Sequence, residues 1–200
     1  MKTGVYNLEE SAQSILSILD FNKKRLSSQF KESLGQEGGV KILNNTVVLR
    51  KEMTVGGTQK LVDSNTKKIS GISDFDGNRF KDDEVHIYER VRLGYETHAE
   101  SGKAAQLMYA NKMTASFRNA ILRVRQDGVV LGEIPVADIY NKYTGRTMRD
   151  DYFELKHPIV LVGGTDYDLE YEFPDGSTSA ANKEYLELVF DGHKVVRSTK

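Results

Sequence analysis

The chain of 200 residues has no cysteine and no tryptophan, only three prolines, and a formal net charge of −1. Each absence removes a class of explanation. Without cysteine there is no disulfide framework and no thiol chemistry, so folding rests on packing alone. The 28 basic side chains are balanced by 29 acidic ones, which denies the positive excess expected of a chain that lives on nucleic acid or carries a polybasic membrane anchor. Lack of tryptophan takes away the residue most expected on a sugar-stacking platform. No run approaches the roughly 18 apolar residues of a membrane span, and Met1-Lys2-Thr3-Gly4 leads into polar sequence without the apolar core of a signal peptide. The length suits one sizeable domain, or a domain with an appended arm.

Asn7 to Leu34 carries the one long helical pattern. Asn7 is an N-cap candidate with Glu10 three residues on, the capping-box spacing, and Gly35 is a natural stop. Leu8, Ala12, Ile15, Leu19 and Leu26 recur at three- and four-residue spacings, and Ile18 and Phe30 widen the stripe. Two uses fit such a stripe: docking on the domain's own sheet, or an arm that packs on a neighbouring subunit. The second gives the division expected here, a helical arm over 1–36 and a body over 37–200. It makes Leu8, Ile15, Leu19, Leu26 and Phe30 an intersubunit contact, so that removing residues 1–35 should leave a folded body that does not assemble.

From Val40 onward the sequence turns to β patterning. Ala120 to Arg125 alternates apolar and polar, Asp127-Gly128 supplies two residues for a tight I′ turn, and the return arm from Val129 runs to Pro135, which cannot donate to a ladder. Tyr167, Leu169, Tyr171 and Phe173 alternate with Asp168, Glu170 and Glu172, the cleanest period of two in the chain. Further strands are expected over Val40–Arg50 (with a turn possible at Asn44-Asn45), Val85–Tyr95 with Glu89 out of pattern, Tyr152–Leu155, Ile159–Val162, and Tyr185–Phe190, with Asp191-Gly192 read as a hairpin turn. Residues 55–83 read as a long polar loop with one short strand near Leu61-Val62, and 138–151 as a polar connection. Eight to ten short strands separated by turns predict a mainly β chain. It would be an antiparallel β-sandwich or jelly-roll-like body with an N-terminal amphipathic helix, not a βαβ fold.

Chemistry is sparse. Asp74, Asp76 and Asn78 open like a calcium loop, but Gly77 falls inside the ligand triplet and Glu84 comes one residue early, so an ordinary turn explains them better. His86, His98, His157 and His193 share no ligand spacing. No nucleophile elbow, P-loop or dinucleotide-binding glycine pattern is present. Glu170 and Glu172 lie on one strand face, where a carboxylate pair could serve a glycosidase, though a solvated acidic face explains them with less. Arg118, Arg123 and Arg125 with Phe117 and Tyr109 carry the residue types that bind single strands of nucleic acid. Pairing of Arg123 and Arg125 with the acidic stripe, on a neighbouring strand or subunit, competes with that use. A glycan or surface-ligand site on the loops at 56–83 or 140–151 is the alternative to a purely structural role.

The segments RNAILRVRQDGVVLGEIPV and HPIVLVGGTDYDLEYEFPDGS, behind a helical N-terminal arm, resemble structural proteins of bacteriophage virions of the capsid, vertex or decoration type. The resemblance lies in texture over Val40 to Arg197 and carries over no residue role. The chain is short for a tailed-phage capsid subunit and lacks a long mid-chain spine helix, which turns the resemblance toward a jelly-roll-type shell, vertex or accessory protein. It implies a non-enzymatic protein of the virion, assembled in the host cytoplasm, which joins copies of itself and other virion proteins through its N-terminal arm and sheet edges. It implies no cofactor, metal, small-molecule substrate, membrane or specific nucleic-acid partner. Arg123, Arg125, Glu170 and Glu172 join the helical stripe as the expected contacts.

Overall fold

In the computed structural model, residues 8–140 and 152–198 are described. Two helices, α1 (Leu8–Phe21) and α2 (Ser28–Leu34), precede eight strands. These are β1 (Val40–Met53), β2 (Thr58–Lys60), β3 (Glu84–His98), β4 (Ile121–Gln126), β5 (Val129–Pro135), β6 (Phe153–Val162), β7 (Tyr167–Glu172) and β8 (Lys183–Arg197). They form two four-stranded sheets, ordered β1-β8-β3-β6 and β2-β7-β4-β5, here sheets A and B. The first strand pairs with the last, the second with the seventh, the third with the sixth and the fourth with the fifth, all antiparallel. A long hairpin of four strands out and four back, rolled so that successive pairs alternate between sheets, is a jelly roll. The fold class expected from the strand pattern is the one observed.

The tip of that hairpin is the β4–β5 turn, where Asp127 and Gly128 both take positive φ (53° and 72°), as a I′ turn requires. Along β7, Tyr167, Leu169 and Tyr171 are buried between the sheets and their acidic neighbours are not. The interior is aromatic and tightly filled: Phe117 packs against Tyr95, Tyr171 and Phe173, and Tyr88 stacks on Phe190. The 55–83 segment, read from its composition as polar loop, drives Leu61, Val62 and Phe75 into this interior. Its short strand lies at Thr58–Lys60, just before the pair expected to form it.

Several strand expectations are corrected by length. β1 runs through Asn44-Asn45 without a turn, and β8 runs straight through Asp191-Gly192. The glycine there serves a close approach instead of a turn. A Cβ on Gly192 would sit 2.1 Å from the Ile87 carbonyl oxygen, where β3 bulges at Glu89. Pro158 falls where the ladder with β3 is interrupted, between the Arg90–Glu154 and Tyr88–Ile159 pairs, so the two expected strands join as one edge strand with an unpaired stretch between them.

The helical pattern is also broken. Asn22 returns its side-chain amide to the Ile18 carbonyl, Leu26 is extended, and Ser27 restarts the helix by accepting from the Phe30 N–H (3.2 Å). Gly35 ends α2 as expected, and Asn7 lies outside the described residues. The bend lets both helices lie on the outer face of sheet A. Ile15, Leu19, Leu26 and Phe30 are buried there against Val85, Ile87, Val160, Val162 and Val195. Burying four such side chains contributes on the order of 8 kcal/mol before the entropy of ordering them is subtracted. The stripe is therefore spent inside the chain. Its assignment to an intersubunit contact is corrected for these four residues, and the side chain of Leu8 lies outside the described residues.

Gln126 ties the helices and both sheets together. Its side chain is 2 % exposed; its carbonyl oxygen accepts from Arg25 (2.8 Å) and from the Val162 N–H (2.9 Å), and its amide donates to the Val162 and Thr165 carbonyls. One buried amide thus mimics a strand edge toward sheet A while holding the bend between α1 and α2.

Candidate assembly surface

The expected charged contacts lie on the outer face of sheet B, and they meet one another. Arg123 stands opposite Glu170 and Arg125 opposite Asp168 in the β4–β7 register. Arg123 reaches Glu172 at 2.6 Å, Glu133 at 3.1 Å and Glu170 at 4.0 Å; Arg125 reaches Glu170 at 3.5 Å, and Lys60 reaches Asp168 at 2.8 Å. The result is a ladder of ions across four strands, the neighbouring-strand pairing that was one of the two uses expected for these residues. Each carboxylate of the stripe has a cation beside it.

Sheet A carries its own ions where the helices do not cover it. Glu187 is held between Arg50 (2.8 Å) and Arg92 (2.9 Å), and Asp191 between Arg90 and the Thr46 hydroxyl. Beside them a polar cleft of about 750 Å³ is lined by Asn44, Glu89, Arg90, Glu154, Asp191 and His193 among others. The His193 Nδ1 there is buried without a hydrogen bond, 3.6 Å from Glu89.

The remaining candidates resolve into structural parts. Asp74 accepts the Val48 N–H and fastens the long loop to β1. His86 stacks on Phe80 at 3.7 Å, and burial drives its pKa down to about 4 in spite of Glu84 at 3.4 Å. Glu184, 2 % exposed, accepts from Tyr95, Thr114 and the Ala180 N–H. Among the described residues no group of three or more His, Cys, Asp or Glu is placed to hold a metal ion, and no helix is long and apolar enough to cross a membrane.

What the sequence reasoning missed is apolar. The sandwich has one edge where the outer strands of its two sheets, β5 and β6, lie side by side, and α1 borders it. Two hollows meet there and share Leu131 and His157 in their walls. The first, about 630 Å³, lies under α1 between Ile18, Phe21 and Val130; the second, about 260 Å³, is lined by Pro135, Phe153, Leu155 and Ile159. Phe21 is 91 % exposed, Val129 60 % and Val130 44 %. Among the described residues every other Phe and Tyr is buried or half-buried, which makes the exposure of Phe21 informative. A signal was available: Phe21 falls off the phase of the Ile15–Leu19 stripe, so a helix that buries the stripe must turn Phe21 outward.

Strand addition does not suit this edge. β5 carries a bulge at Leu131 and ends in Pro135, and β6 contains Pro158. Both are devices that stop another strand from extending a sheet. Side-chain packing into the hollows remains open. Comparison of the chain with family models and with curated proteins gives no match.

Proposed function

We propose that this chain is a non-enzymatic structural subunit of a phage particle, which assembles with copies of itself or docks on a capsid through the open edge between β5 and β6. The observation that carries the reading is the apolar surface at that edge, with Phe21 standing out of it beside the larger of two adjoining hollows. The jelly roll agrees with it, but the same architecture serves shells, lectins and cupins, so the surface and not the fold makes the choice. Mutual pairing of acids and bases on both sheets supports a role without catalysis. The phage setting rests on the textural resemblance of the strand segments alone. The test is the mass of the full-length protein by light scattering over a concentration series, with negative-stain images of the same samples. Discrete oligomers, rings or shells are expected; a monomer at every concentration removes self-assembly.

A second reading is favoured by one feature, the polar cleft beside Arg90 and Asp191, whose mixed donors and acceptors suit a sugar or another polar surface ligand. A glycan array probed with the wild type and with Asp191→Ala separates the two, since a true site gives binding that the variant loses.

A further inference from the structure

The open edge has a property that points to its occupant. The two hollows carry opposite charge. Among the lysine, arginine and acidic side chains that line them, the first has Arg25 alone, an excess of one positive charge. The second has Glu133 and Asp138 against Lys156, an excess of one negative charge that Arg123 offsets only in part through Glu133. A knob, Phe21, borders the positive hollow, and the smaller hollow at the negative end is apolar and large enough for a benzyl side chain. A patch that holds both a knob and a hole, with opposite charge at its two ends, is complementary to itself when rotated by half a turn. A foreign partner would need only one half of this arrangement.

We propose that two copies of this chain pair about a two-fold axis at Leu131 and His157, with Phe21 of each copy seated in the hollow formed by Pro135, Phe153 and Leu155 of the other. This rests on the assembly reading and adds the partner, the symmetry and the anchor. The Arg25 end of each copy then lies toward Glu133 and Asp138 of its mate. The blocked strand edges keep the contact to side chains and stop it from growing into a continuous sheet.

The absence of native cysteine makes the test clean, because any disulfide must come from an introduced thiol. Full-length protein is measured by sedimentation alongside Phe21→Asp, whose site is too exposed to disturb folding. Single-cysteine His157→Cys is oxidised alone, and Phe21→Cys is oxidised in a mixture with Leu155→Cys. Ser101→Cys, on a distant loop, is the control. The expected result is a wild-type dimer and at least a tenfold rise in the dissociation constant for Phe21→Asp. His157→Cys should give a disulfide dimer, the mixed pair a crosslink, and Ser101→Cys none, since a disulfide needs Cβ atoms within about 4.5 Å. Wild-type association that Phe21→Asp does not weaken, with no crosslink at His157, overturns this interface while leaving the assembly reading in place. A wild type that stays monomeric overturns this interface and the self-assembly half of the reading with it, and leaves docking on a capsid standing.

Discussion

The two outer faces of the jelly roll solve one problem in opposite ways. Sheet A is apolar on both sides over part of its area: residues 85–88 of β3 and 159–162 of β6 are buried without a break. Its outer face must therefore be covered, and α1 and α2 cover it. Sheet B alternates strictly, as β4 and β7 show, and its outer face stays in water with an ion ladder across it. The difference teaches that the cover follows from the strands beneath it. A run of consecutive buried residues in a strand demands a second layer, and strict alternation leaves one face in water.

The largest way to break that contrast is to remove the cover. Deletion of residues 1–35 would bare Val85, Ile87, Val160, Val162 and Val195. The expected outcome is loss of cooperative unfolding and of the β-sheet circular dichroism signal, or aggregation. A soluble, cooperatively folded body would show that the helices are a detachable arm after all. Next in size is Gln126→Leu, which strands the Val162 N–H and carbonyl inside the protein and frees the Arg25 end of the helical bend. A loss of about 3 kcal/mol in chemical denaturation is expected from two unmet backbone groups. A loss under about 1 kcal/mol would mean that the cover holds without this tie.

Much of this was legible in the sequence, and the failures share a cause. Alternation placed β4 and β7 correctly, because it depends only on which side of one sheet is wet. Asp127-Gly128 gave its turn for a local reason, the need for positive φ. Asp191-Gly192 has the same dipeptide and no turn, because its glycine answers to the backbone of β3, far away in sequence. The apolar stripe of the helices was visible, but its destination was decided by β3 and β6, whose second buried face cannot be read from the stripe. Arg123 and Glu170 were singled out as a possible contact, and only the β4–β7 register shows that they face each other. Sheet edges were expected as contacts in general, but this edge and its residues were not singled out, since it is assembled from Phe21, Val130 and Leu155, three segments with no pattern in common.

The contrast between burial and solvation can also be sharpened with pH. His86 is 4 % exposed, and Phe80 stacks on it; Glu84, Lys194, Asn45 and Tyr88 are the polar groups beside it. Burial lowers its pKa from 6.5 to about 4, so between those values the unfolded chain holds a proton that the folded chain refuses. Its stabilising contribution is complete above pH 6.5 and falls as pH drops toward 4. Between pH 7 and pH 5 the loss from this group is about 2 kcal/mol. Denaturation curves of the wild type and His86→Gln at the two pH values check this. The variant should lose less on acidification, and an identical loss in both would assign the pH dependence to other groups.

The smallest effect is expected on the bare face. Arg123→Ala leaves Glu133, Glu170 and Glu172 without the cation they share, which on a covered face would be severe. Here water reaches most of the ladder: Glu133 and Glu172 are 50 % and 39 % exposed and can take up hydration when the guanidinium is gone, while Glu170, 13 % exposed, keeps Arg125 beside it. The fall in thermal midpoint should therefore be less than for Gln126→Leu, and raising sodium chloride to about 0.5 M should shrink it further as the carboxylates are screened from one another. A large loss that salt does not reduce would mean that water does not in fact reach these carboxylates. In that event something in solution covers sheet B as the helices cover sheet A, and the two faces differ in the origin of their cover, one from within the chain and one from a partner.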